Sequence, residues 1–303
     1  MKIRSLAFIA LFAAGPLYAA TPINQTRPLA LDGQVSIDNL KGRISVHTWA
    51  QPQVRITGSL GKGVEKFTVE GDAHSLKIKV KYPQNNGGGW FGWGNSDSKS
   101  EPTTLEVMLP TGASVSVDSV SANVDVQGVA GRKLSIDNVS GDILVAASSP
   151  GEASFDNVSG DMTVRMTSAK VKIDNVSGDL NIQGSFTGDL NVDTVSGDVR
   201  MTGSWVNQFE LSTVSGDATL QVSPKANSTI KTDSVSGGLT LILPRETSAQ
   251  LHAETFSGSI VSPSGHVVKE EYGPGQTLDT RLGEGQGQIK LDTFSGDIKV
   301  QLQ

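Results

Sequence analysis

One eight-residue phrase, repeated nine times at a nearly constant interval, restricts this chain to a narrow class of folds. Its fullest form is Ile136-Asp137-Asn138-Val139-Ser140-Gly141-Asp142-Ile143. The copies share a central glycine, or alanine once, at 122, 141, 160, 178, 197, 216, 237, 258 and 296, so the steps are 19, 19, 18, 19, 19, 21, 21 and 38. A fixed period near twenty with apolar residues on alternate positions predicts a stack of short coils, each burying its apolar side only against its neighbours. The expected fold is all-β: a single-stranded, right-handed parallel β-helix, or solenoid, of about 19-residue coils, the hand following from the preference of parallel crossovers.

Within one unit, Leu134, Ile136, Ile143 and Val145 alternate as strands with one buried face require. The Val139 column, valine in seven copies and phenylalanine at Phe256 and Phe294, is expected to supply a fifth apolar column at the bend of the coil. The column of Asn138, Asn157, Asn175, Thr194, Thr213, Ser234, Thr255 and Thr293 is small and polar, suited to a ladder or a turn cap. Glycine at the Ser-Gly-Asp step is expected to serve a sharp corner. The doubled last step of 38 reads as one coil that has lost its signature, with 262–288 forming a long loop over the last coils.

The division expected along the chain is an export leader at 1–20, a lead at 21–34, capping strands at 35–110 carrying a Gly-rich aromatic loop at 85–98, and the repeat solenoid at 111–303. Val35 to Ile44 is a degenerate first copy, and the strands after it form a less regular N-terminal cap, needed because an open solenoid end exposes unpaired edges. The leader shows Lys2 and Arg4, an apolar run Leu6 to Ala14, a Gly15-Pro16 break and a cut after Ala19. An uncleaved anchor is the alternative, but the run is short for a hydrocarbon core of about 30 Å. The expected location is the periplasm or cell surface, with no transmembrane segment in the mature chain.

Net charge is −6, and −6 less Lys2 and Arg4 gives −8 for the exported chain. That excludes the clustered basic residues of a nucleic-acid binder. With no cysteine, a disulfide framework, a thiolate metal site and a lipid-modified N-terminus are excluded together.

Two acidic columns run along the repeats. Asp118, Asp137, Asp156, Asp174, Asp193, Asp233 and Asp292 form one; Asp142, Asp161, Asp179, Asp198, Asp217 and Asp297 form the other. Both columns are read as turn capping by backbone amides, with a cation ladder, its candidates Asp142, Asp161, Asp179, Asp198 and Asp217, as the alternative. Catalysis has little support: His47, His74, His252 and His266 follow no ligand spacing, and most coils lack loops that would wall a cleft. No catalytic residue and no cofactor is expected. Trp90, Phe91 and Trp93, set among Gly, Asn and Ser, are either contacts for a partner or a plug for the solenoid end.

Leu105 to Pro110 followed by Val-Ser-Gly-Asp coils, and Gly285-Gln286-Gly287 leading into Ile289 to Ile298, resemble a bacterial family of exported domains of unknown function often labelled "putative adhesin". The resemblance spans roughly 30 to 303 and implies the solenoid fold, with no catalytic residues to carry over. The function expected is that of a non-enzymatic binding or structural surface of the cell envelope, its partner an envelope protein or glycan. A polysaccharide-active β-helix enzyme and an envelope-stress sensor module are the alternatives.

Overall fold

The structure, a computed structural model, describes residues 21–83 and 100–303. These residues build a β-solenoid in which each coil has two arms joined at the Ser-Gly-Asp corner. In the coil made by Lys133–Ser140 and Ile143–Ser148, Leu134, Ile136 and Asn138 point inward, while Asp137 and Val139 point out. Beyond the corner, Ile143 and Val145 point inward again. Coils stack in parallel and in register, so Phe155 lies between Ile136 and Ile173, and Asp156 between Asp137 and Asp174. One continuous core results, with Leu134, Ile136, Phe155, Ile173, Val192 and Leu211 all essentially sealed from solvent. A coil alone has nothing to cover its apolar columns; neighbours above and below supply the cover.

The Val139 column is not part of that core, contrary to the expectation from sequence. Val120, Val139, Val158, Val176, Val195, Val214 and Val235 are 45–50 % exposed, and Phe256 and Phe294 more so. The reason is pleat parity. The strand runs unbroken through Ser140 before it turns, so a residue three places after Ile136 must face the opposite side. The inward place goes to the polar column, whose asparagines serve the corner as donors. Asn138 Nδ2 donates to the carbonyl of Gly141 at 3.1 Å, and Asn157 and Asn175 do the same for Gly160 and Gly178 at 3.0 Å.

Glycine at the corner is required by space as well as by torsion. Gly178 has φ +115°, and a Cβ there would sit 2.2 Å from the carbonyl oxygen of Gly160. Ala122 escapes this because its backbone is not in the positive-φ region.

At the N-terminal end, Gln34–Trp49 is a full first coil, paired in parallel with Ser114–Gln127. On its other side Ser75–Lys81 and Thr103–Pro110 also pair in parallel. Antiparallel strands then close the stack: Lys66–Gly71 on one arm, Gln53–Leu60 and outside it Thr21–Pro28 on the other. The switch to antiparallel pairing ends the run of identical coil edges, the cap that a solenoid end calls for.

The C-terminal end departs from the expectation of a missing coil. Gly287–Ser295 and Ile298–Leu302, last in sequence, insert between the coil of residues 229–243 and the coil begun by Ala249–Ser257. Spatially the corner glycines therefore run 216, 237, 296, 258, and no coil has lost its signature. The segment 262–288 is not simply a loop. It carries Val267–Lys269 and Gln276–Leu282, which pair antiparallel with each other, and Gln276–Leu282 also pairs antiparallel with Ala249–Ser257. Among the described residues no helix is long and apolar enough to cross a membrane.

Candidate functional site

Because all coils share one register, the outward residues of the first arm become straight columns down the molecule. Two matter: the Asp137 column and, two residues further along each strand, the Val139 column. Between them lies a shallow groove of about 1040 Å³ lined from Asp38 and Leu40 in the first coil to Asp233 and Val235. Eight coils at a strand spacing of about 4.8 Å make it roughly 34 Å long. One wall is acidic and the other is an unbroken apolar ridge.

The apolar wall continues past the groove. Phe294 and Phe256, brought side by side by the inserted last coil, stack with ring centroids 4.9 Å apart. Each valine lies in register with an apolar residue of the coils above and below, Leu40 and Phe294 at the two ends, which accounts for its half burial and leaves the outer half open.

The acidic wall is unevenly neutralised. Asp38 pairs with Lys79, Asp174 with Lys172, and Asp233 with Lys231 at 2.6 Å. Among the described residues, Asp118, Asp137, Asp156 and Asp193 have no ion-pair partner. Asp156, flanked by Asp137 and Asp174, is pushed up to about 6, first by burial and then by the two neighbouring carboxyl groups. Burial, with Asp137 and Asp38 adding to it, also raises Asp118. Like charges stacked one strand apart favour the protonated form, and Lys77 and Lys79 offset that at Asp118 only in part.

Capping, expected of both acidic columns, falls to the second alone among the described residues, because the first points outward in mid-strand, away from any free corner amide. The backbone N–H of Asp161 donates to Asp142 Oδ1 at 3.1 Å, that of Asp179 to Asp161 at 2.9 Å, and that of Asp198 to Asp179 at 3.0 Å. Asp217 and Gly238 continue the chain, donating to Asp198 and Asp217 at 3.1 and 2.7 Å. Each carboxylate thus caps the corner of the next coil, and the amide dipoles offset the repulsion within the row. Trp90, Phe91 and Trp93 lie outside the described residues.

The groove itself was missed by reading the sequence, because the valines were assigned inward. The signal was present: strict alternation counted through Asn138 places Val139 outside.

Solved structures similar to this chain include a "putative adhesin" from Bacteroides fragilis, 12 % identical, covering 94 % of this chain and 98 % of its own, with TM-score 0.43. A "putative cell adhesion protein" from Clostridium sporogenes is 11 % identical over 93 % of this chain and all of its own, with TM-score 0.22. A "putative lipid binding protein" from Parabacteroides distasonis is 11 % identical over 92 % and 94 %, with TM-score 0.35. No curated protein matches the sequence significantly. The model of one family, described as Toastrack DUF4097, matches residues 34–301, and the coils, corners and groove described above fall within that span. This chain belongs to the Toastrack DUF4097 family.

Proposed function

We propose that this is a non-catalytic binding protein, exported to the periplasm or cell surface, whose recognition surface is the groove between the Asp137 and Val139 columns. Its occupant is a cationic amphipathic helix of a partner protein, lying along the solenoid axis. The observation that carries this reading is the exposed valine ridge running beside an acidic column in which Asp118, Asp137, Asp156 and Asp193 have no ion-pair partner among the described residues, with Lys77 the one cation lining the groove. The partner must offer apolar side chains on one face and Lys or Arg on the adjoining flank. A helix repeats every 5.4 Å, within about 0.6 Å of the coil spacing, whereas alternate residues of an extended chain recur every ~6.6 Å and lose register within a few coils. A helix filling the groove has roughly 23 residues. Export is supported by the leader features at Lys2, Arg4 and Leu6 to Ala14.

The test is fluorescence anisotropy with a labelled 23-residue helix carrying a leucine face flanked by lysines. Binding should weaken at least about tenfold when Val158, Val176 and Val195 are changed to Ser together, and should also weaken with salt. A scrambled peptide of the same composition should bind poorly. Equal binding of the scrambled peptide, or by the triple variant, refutes the reading.

A further inference from the structure

The insertion of the last coil does more than close the stack. It sets Asp292 directly opposite Glu254 on the neighbouring strand. On the other side of Ala249–Ser257, the antiparallel cap strand sets Asp279 opposite His252. His252 and Glu254 both point outward from one strand, two residues apart. The donor atoms of His252, Glu254 and Asp292 all lie within 4.8 Å of one another.

The details fit a cation. His252 Nδ1 lies 2.7 Å from Asp279 Oδ1. An ionised carboxylate only accepts, so in the neutral ring Nδ1 carries the proton and Nε2 offers the lone pair. That carboxylate–imidazole contact is the outer-sphere partner that fixes a metal-binding histidine. Nε2 faces Glu254 Oε2 at 3.7 Å. Asp292 Oδ1 is shielded from solvent and has no hydrogen-bond partner, while its other oxygen pairs with Lys290. An acceptor closed off from water and from donors is costly unless something positive meets it.

We propose that His252, Glu254 and Asp292 form a site for one divalent transition-metal ion of the Zn²⁺ class. One imidazole nitrogen with two carboxylate oxygens suits zinc or nickel, whereas calcium and magnesium take oxygen alone. Closing the three donors to about 2.0–2.2 Å from the ion takes a rotamer adjustment of Glu254, whose side chain is 59 % exposed. Three protein ligands leave a coordination position open beside the Phe256–Phe294 stack, for water or for a donor from a bound partner. The site is independent of the groove reading, since none of its ligands lines the groove.

The experiment is titration calorimetry of the untagged chain with ZnCl₂, and separately with CaCl₂. The expected result is one zinc per chain, with no calcium binding that depends on His252. His252→Ala should weaken zinc binding at least thirtyfold, and Asp279→Asn about ten- to a hundredfold through loss of orientation. Lys290→Met should tighten it, because the cation competing for Asp292 is gone. All are surface changes, and metal-free melting curves will show that each variant folds. Absence of stoichiometric zinc binding overturns the proposal, as does binding that His252→Ala leaves unchanged.

Discussion

Val176→Asp and Ile173→Asp place the same carboxylate three residues apart on one strand and should differ sharply in cost. Val176 is 46 % exposed, whereas Ile173 is 0 % exposed between Phe155 and Val192. Fully burying a valine contributes about 1.5–3 kcal/mol, so a half-buried one forfeits roughly 1 kcal/mol when replaced, and the new carboxylate stays in water. Strand propensity and the nearby Asp174 add about 1 kcal/mol more. At Ile173 the carboxylate enters a dry core without a partner, a change of the kind that exceeds about 4 kcal/mol. At about 2–4 °C per kcal/mol, the expected drops in melting midpoint are a few degrees for Val176→Asp and more than ~10 °C, or failure to fold, for Ile173→Asp. Thermal unfolding followed by circular dichroism gives both. Equal, large losses would mean that the valine column is buried and the pleat assignment is wrong.

Asn175→Ala should cost about 1–3 kcal/mol by urea unfolding, because the corner carbonyl of Gly178 loses its donor inside the coil; a neutral result would deny that role. Gly178→Ala should be worse than any surface change, since its Cβ meets the Gly160 backbone at 2.2 Å in a positive-φ conformation; an unchanged midpoint would show that the corner is not sterically closed. Asp156, whose folded-state value is raised to about 6 from 3.8, takes up a proton on folding between those values. Its contribution is therefore fully present below about pH 3.8 and lost as pH rises through about 6. Asp156→Asn should accordingly melt above wild type at pH 7.5 and close to it at pH 4, and a variant offset that does not change with pH would contradict the coupling.

The coil, its period and its continuous core were legible in the sequence because they rest on local repetition, which every copy states again. The capping of corners by Asp161 and Asp179 was legible for the same reason. The orientation of Val139 was misread because apolar character was allowed to outweigh parity, which puts Asn138 inside as a donor to the corner carbonyl. The insertion of the last coil was hidden because order in a stack need not follow order in the chain. One trace existed: Phe256 and Phe294 are the two aromatic breaks in the valine column, and they prove to be neighbours. The grouping of His252 with Asp279 and Asp292 has no spacing motif, since strand pairing across 27 and 38 residues creates it.

The central claim, a helix lying along the groove, is tested most directly by photo-crosslinking from three coils of one wall. A benzophenone amino acid is placed at Val139, Val176 or Val214, each paired with the labelled 23-residue helix, and the linked peptide residue is read by mass spectrometry. Val139 and Val176 are two coils apart, about 9.6 Å, and Val139 and Val214 four coils, about 19 Å. At a rise of 1.5 Å per residue, the linked position should advance by roughly 6 and 13 residues, in order along the peptide. An advance of about half that would mean an extended occupant. Crosslinks with no order, or equally efficient ones from Asn181 on the opposite arm, would contradict the groove as the binding surface.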